Sequence, residues 1–184
     1  MQPPSKSFGK PGITIKPEQF RDPLIYLRMQ RFSDMVMRLG MVENPQEARV
    51  LWSSYVSGVP PGDATQAAAL LTGRRPGKLL PRKVLHEWAL EQLRLPAWLI
   101  RESTDVVGSR TETIAILVAG DEGGRPTGLG EWIRELEGLR SRTQLEQKLW
   151  VLDSWKQLDA GGCAVMNTIL SGSFRTRLPA ALVS

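Results

Sequence analysis

The chain has 184 residues and a mass of 20.5 kDa, which suffices for one domain with its own core. Apolar residues make up 41% and charged residues 23% of the sequence, which excludes a disordered, collagen-like or coiled-coil protein. The 24 basic and 19 acidic residues give a net charge of +5, and the positive excess lies within residues 1–92, which favours a polyanionic partner.

Residues 1–20 predict a flexible basic arm. They hold four prolines, two glycines and the lysines Lys6, Lys10 and Lys16, without a periodic apolar pattern.

The sequence start lacks the features of a secretory signal, and no apolar stretch approaches the ~18 residues of a membrane helix. The single cysteine, Cys163, excludes an intrachain disulfide, so we expect a cytoplasmic protein with no membrane partner.

Helix signals follow one another through residues 21–184. Asp22 and Asn44 each precede a proline as an N-cap does, and glycines such as Gly73 and Gly108 follow apolar stretches as helix stops do. Residues 111–119 fit either a buried strand or a buried helix, and we assign a helix. The sequence therefore predicts a compact all-α domain of about nine helices, over residues 22–39, 45–56, 63–72, 81–93, 96–107, 111–119, 129–139, 145–158 and 164–170.

The usual catalytic constellations are missing from the sequence. One histidine, His86, and one cysteine cannot assemble a zinc site, and the glycines around Gly73 and Gly77 lack phosphate-loop spacing. We therefore predict no catalytic residue, metal ligand or cofactor in this chain. Cys163 and most of the six tryptophans are expected in the core, and His86 on a helix surface, where a phosphate contact is the alternative.

Three helix connections have the residues that contact phosphates. Residues 73–83 carry five positive charges, residues 108–113 combine an arginine with hydroxyls at a helix start, and residues 171–177 form a glycine turn with two arginines. None of them is suited to reading base edges. The candidate DNA contacts are Arg74, Arg75, Lys78, Arg82, Lys83, Arg110, Thr113, Ser173, Arg175 and Arg177.

At these places the chain resembles the N-terminal DNA-binding domain of ATP-dependent DNA ligases, particularly the bacterial type. The resemblance covers residues 33–184 in order and spacing. Its motifs are the small-residue helix leading into Gly-Arg-Arg-Pro-Gly-Lys, the His-Glu-Trp of 86–88, Leu-Pro-Ala-Trp-Leu of 95–99, Val-Gly-Ser-Arg-Thr-Glu-Thr-Ile-Ala of 107–115, the asparagine helix of 167–170 and Ser-Phe-Arg of 173–175. Two positions depart from the family pattern: Ser109 replaces an acid, and Arg177-Leu178-Pro179 replaces a glycine and a small apolar residue.

The resemblance implies an accessory domain of a DNA-joining enzyme that acts in repair, replication or recombination. Such a domain lies along the minor groove at a nick in double-stranded DNA and contacts phosphates on both sides. The lysine of a Lys-x-Asp-Gly motif, which accepts AMP, is absent from this chain. ATP and Mg²⁺ are thus implied only for a parent ligase, whose catalytic nucleotidyltransferase domain would be a partner in cis or as a separate subunit, and this chain alone should not ligate.

Two other functions fit the same sequence. The basic residues of a helical protein-interaction module could meet an acidic protein partner instead of DNA. Alternatively, the scattered carboxylates could form an unfamiliar enzyme site. The first alternative predicts no saturable DNA binding, and turnover by the isolated chain would support the second.

Overall fold

The computed structural model describes residues 28–120 and 128–183. This part of the chain contains ten α-helices, nine of them with at least seven residues, and no strand. The all-α prediction is confirmed. The helices are α1 (Arg28–Leu39), α2 (Pro45–Ser57), α3 (Pro61–Thr72), α4 (Arg82–Leu93), α5 (Ala97–Val107), α6 (Arg110–Val118), α7 (Leu129–Gly138), α8 (Gln144–Gln157), α9 (Ala160–Leu170) and α10 (Ala180–Val183), with a 3₁₀ turn at Leu139–Ser141.

Helix ends follow the chemistry of the sequence closely. The Asn44 side chain accepts a hydrogen bond from the Gln46 backbone N–H at 2.9 Å, and Thr143 and Glu146 form a reciprocal capping box at the start of α8. Gly73 and Gly108 end α3 and α5 in the left-handed region, with φ of 103° and 81°. The assignment of residues 111–119 to a helix is confirmed, since this stretch forms α6, Arg110–Val118, with Ser109 as its N-cap.

Helix α9 lies at the centre of the fold. Eight of its eleven residues are buried, and its main neighbours are α6 and α1. A helix that is apolar on nearly all sides belongs in an interior. Cys163 is fully buried, and five of the six tryptophans are buried, whereas Trp98 on α5 is 59% exposed. The predicted core role of Cys163 and of most tryptophans is confirmed.

Two predicted helix starts are wrong. α3 begins at Pro61 instead of Asp63, whose buried carboxylate accepts a hydrogen bond from the Gly130 backbone N–H of α7 at 3.2 Å instead of capping α3. α9 begins at Ala160 instead of Ala164, because Asp159 accepts from the Gly162 N–H at 2.7 Å and serves as the N-cap. The glycines that suggested a break are helical, and a Cβ on Gly162 would crowd the Leu158 side chain at 3.2 Å.

Several predictions concern residues outside the described part of the chain. They are the basic arm of residues 1–20, the cap at Asp22 and the central part of the predicted loop 120–128. Helix α10 was not predicted. Among the described residues, no helix combines the length and apolar character needed to cross a membrane.

Candidate nucleic-acid interface

The basic connection, residues 73–83, lies against the C-terminal turn, residues 171–177. The backbone N–H groups of Leu79 and Leu80 both donate to the Leu170 carbonyl, at 2.9 and 3.0 Å. Gly172 turns the chain with a φ of +67°, and a Cβ there would lie 3.2 Å from the Lys78 Cβ. Two segments almost 100 residues apart therefore run side by side at the C-terminal end of α9.

Arg75 joins these two segments. Its guanidinium donates to the carbonyls of Phe174 at 2.6 Å and Thr176 at 3.1 Å, and its Nε donates to the Leu70 carbonyl at 3.2 Å. The same group lies over the Phe174 ring, 5.2 Å from its centroid. Burial lowers the pKa of Arg75, and the positive charges of Arg177 and Arg175 lower it further. The Arg75 guanidinium thus bonds within the protein, and it fixes the backbone carbonyls of the residues that precede Arg175 and Arg177.

Three adjoining cavities open on this side of the molecule, and we call their shared surface the basic surface. The first, of about 470 Å³, lies between the starts of α4 and α6 and is lined by Arg82, Lys83, His86, Ser109, Arg110 and Asn167 among others. The second, of about 500 Å³, shares Arg82 and Ser109 with the first and adds Ser173 and Arg175. The third, of about 290 Å³, is lined by Arg75, Lys78 and Ser171, the last of which also lines the first cavity.

The start of α6 lies between the cations of the other two segments. Ser109 caps it, accepting from the Glu112 N–H at 3.4 Å, and Gly108 turns the chain toward it. The free N–H groups of the first turn give this end of the helix a partial positive charge. The three segments predicted from the sequence therefore meet around one surface, where backbone N–H groups, hydroxyls and guanidinium groups can face the same anion.

His86 borders the first cavity and is half-buried. Burial lowers the pKa of its imidazole, the neighbouring charge of Arg110 lowers it further, and Glu87 opposes both effects. The imidazole is therefore held toward its neutral form among cations. A nearby anion would reverse the second effect.

The predicted contacts occupy different positions relative to this surface. Seven are exposed: Arg74, Lys78, Arg82, Lys83, Arg110, Arg175 and Arg177. Ser173 is half-buried and shares a hydrogen bond with Ser171 at 2.8 Å. Thr113 is only 1% exposed and its hydroxyl donates to the Ser109 carbonyl at 2.9 Å, so we withdraw it as a direct contact. It lies one helical turn into α6, a helix packed against α9.

Other residues of the surface were not in the predicted set. The Arg140 guanidinium, in the 3₁₀ turn, lies 2.9 Å from the position that a Cβ on Gly77 would take, so it adds a cation beside the basic connection. Asn167 and Ser171 of the α9 end line the first cavity. No pattern in the sequence indicates Arg140, because only the tertiary fold brings residue 140 next to residue 77.

A further cavity, larger than the three of the basic surface, lies elsewhere. Its volume is about 630 Å³ and it is formed by α2, α3 and α10. Its lining is mostly apolar or hydroxyl-bearing, with Arg49 as a cation. Size alone does not make a site, and this cavity lacks the converging charges of the basic surface.

Comparisons with protein-family models and with curated proteins find no match to this chain.

Proposed function

We propose that this chain binds double-stranded DNA, preferably at a nick, as the accessory DNA-binding domain of an ATP-dependent DNA ligase. The convergence of the basic connection, the α6 start and the C-terminal turn on one surface carries this proposal. It accounts for exposed Arg82, Arg110 and Arg175 around two adjoining cavities.

The contacts offered by this surface suit a phosphate backbone. Guanidinium groups bind phosphate oxygens in a forked geometry, and hydroxyls and first-turn N–H groups add shorter-range bonds. The Arg75 guanidinium, by contrast, is held by carbonyls of the protein. Binding is therefore expected to be insensitive to base sequence and steeply dependent on salt.

The ligase part of the proposal depends on the motif resemblance. Several of the resembling motifs, including Gly-Arg-Arg-Pro-Gly-Lys, Val-Gly-Ser-Arg and Ser-Phe-Arg, supply residues of the basic surface. The sequence lacks Lys-x-Asp-Gly, so the adenylation and joining steps are assigned to catalytic domains outside this chain. ATP and Mg²⁺ would be bound there.

Fluorescence anisotropy with labelled nicked, intact and single-stranded DNA tests the proposal over a salt series. We expect the duplexes to bind, the nicked one most tightly, with log K falling linearly with log[salt] by about 0.9 per neutralised phosphate. Arg82→Glu combined with Arg110→Glu should weaken binding and reduce that slope by about 2.

The matched control is Arg49→Glu combined with Arg134→Glu. Both arginines are exposed, on α2 and α7, and neither lines the three cavities of the basic surface. The two double variants have the same net charge, so a loss confined to the first pair identifies the surface. Equal losses would point to the overall charge, and no duplex binding at ~50 mM salt would leave an acidic protein as the partner of the basic surface.

A further inference from the structure

The first cavity of the basic surface is formed by several different elements and is not a groove along one helix. Its walls come from the start of α4, the capped start of α6 and the end of α9. Arg82, Lys83 and His86 approach from α4, and Arg110 approaches from α6. The volume of about 470 Å³ is ample for one phosphate group with its water.

Asn167 supplies an independent indication of a ligand. It is 2% exposed and lines this cavity, and its Oδ1 accepts a hydrogen bond from the Trp155 indole N–H at 3.0 Å. An indole can only donate, so the amide orientation is fixed and the NH₂ group is the remaining polar part of the side chain. That buried NH₂ has no partner among the described residues. Leaving such a donor unsatisfied costs about 1–3 kcal/mol, so the arrangement favours an acceptor at this end of α9.

We propose that this cavity binds a single phosphate group and that the His86 imidazole, in its protonated form, is one of the ligands. The inference rests on the proposed function where the phosphate belongs to a DNA strand. Arg82 and Arg110 would hold the phosphate oxygens from two sides, with the α6 N–H groups between them. The Asn167 NH₂ would be satisfied by the phosphate or by a water that the phosphate holds.

The charges around His86 determine when its imidazole is protonated. On α4 itself these are Arg82, Lys83 and Glu87, and Lys83 lies 3.8 Å from the Glu87 carboxylate. Helix α6 contributes Arg110, and the end of α9 contributes the uncharged Asn167 and Ser171. On α8, which packs against α4, Lys148 is paired with Glu91 of α4 at 2.6 Å, and neither of the two lines the cavity. In the empty cavity the cations oppose a further positive charge. A phosphate reverses that balance, so binding should take up one proton.

The chain has one histidine and therefore carries a native probe of this site. Nuclear magnetic resonance would follow the imidazole of ¹⁵N-labelled protein against pH in chloride, in inorganic phosphate at equal ionic strength, and with a nicked duplex. We expect the titration midpoint to move upward with phosphate and with the duplex. Arg110→Gln should raise the midpoint of the unliganded protein and diminish the response to phosphate, because it removes both a neighbouring cation and a ligand.

DNA affinity provides a second readout that a structural role for His86 would not change. With one proton taken up, the affinity of the native chain should fall by up to about tenfold per pH unit across the titration range of bound His86. His86→Gln should lose this dependence, and His86→Arg should lose it while keeping the higher affinity.

The outcomes separate this inference from the proposed function. Duplex binding that depends on salt, with an unmoved His86 titration, would overturn the phosphate pocket and leave the DNA-binding proposal intact. An upward movement in inorganic phosphate without duplex binding would support the pocket for a free phosphate and contradict the DNA-binding proposal. No response to either would overturn both.

Discussion

Helix α9 and the C-terminal turn are consecutive in the sequence, yet they meet opposite environments. Cys163 on α9 is fully buried, and burial together with Asp159 raises the pKa of its thiol to about 12. Immediately beyond α9, Gly172 reverses the chain and Arg175 and Arg177 are exposed. The contrast shows that burial decides what a polar group does: the buried Thr113 and the half-buried Arg75 bond to the protein, whereas Arg82 and Arg110 are exposed.

The largest expected effect concerns the reaction rate of the buried Cys163 thiol on α9. Raising the thiol pKa from 9.0 to about 12 lowers the thiolate fraction near neutral pH by about a thousandfold. The higher nucleophilicity of a high-pKa thiolate offsets part of this loss, so Cys163 should react with a disulfide reagent at least about 30-fold more slowly in the folded protein than in concentrated urea. The released chromophore measures the single thiol directly. Similar rates in the two states would mean that α9 is readily accessible.

The same thiol has a pH consequence. Because its folded pKa is raised, the unfolded chain loses the proton first as pH rises, so the contribution to stability is lost above the unfolded value. Cys163→Ala removes that contribution. Urea titrations of both proteins should therefore show a steeper loss of stability at alkaline pH for the native chain.

A second prediction concerns adjacent arginines of the basic connection. Arg75→Ala removes three hydrogen bonds and the contact with Phe174, so it should lower the free energy of unfolding by about 1.5–3 kcal/mol. Arg74→Ala is the control, because the Arg74 side chain is exposed, and it should cost less than about 0.5 kcal/mol. Urea denaturation measures both. Equal losses would contradict the structural role assigned to Arg75.

Sequence reasoning could predict the helices and the three cationic segments, but it could not assign roles within them. Periodicity and capping residues are local, so the helix after Asn44 and the stop at Gly73 were predictable. Arg74 and Arg75 are adjacent residues of the same type, and the bonds from Arg75 to Phe174 and Thr176, 99 and 101 residues away, distinguish them. Arg140 and Asn167 reach the surface through tertiary packing, for which the sequence has no local signal.

A substitution at Gly73, the glycine turn that begins the basic connection, should change the free energy of unfolding by a smaller amount. Gly73 has a φ of +103°, and a Cβ there would meet nothing within 4 Å, so Gly73→Ala tests conformation alone. We expect a loss of about 1–2 kcal/mol. Gly62→Ala in the same helix also enters open space but with helical backbone, so it should be neutral or stabilise by about 0.5 kcal/mol. The thermal unfolding midpoint of Gly73→Ala should thus fall, whereas that of Gly62→Ala should stay unchanged or rise.

The smallest effect on stability is expected where the effect on DNA binding is large. Arg82→Gln combined with Arg175→Gln removes two exposed charges that line the second cavity, and it should change the free energy of unfolding by less than about 0.5 kcal/mol per site. The size of this change depends on salt. Arg175 repels Arg75, so its removal should stabilise the protein slightly at ~0.01 M salt, where the Debye length is about 30 Å, and less at ~0.1 M.

The double variant should therefore lose DNA affinity without losing stability, whereas Arg75→Ala should lose stability first. This opposition follows from the arrangement of the basic surface, since cations gathered for an external anion repel one another while that anion is absent. Urea titrations at the two salt concentrations, together with anisotropy on the same samples, measure both quantities. A double variant destabilised as strongly as Arg75→Ala would place Arg82 and Arg175 among the groups that hold the fold together.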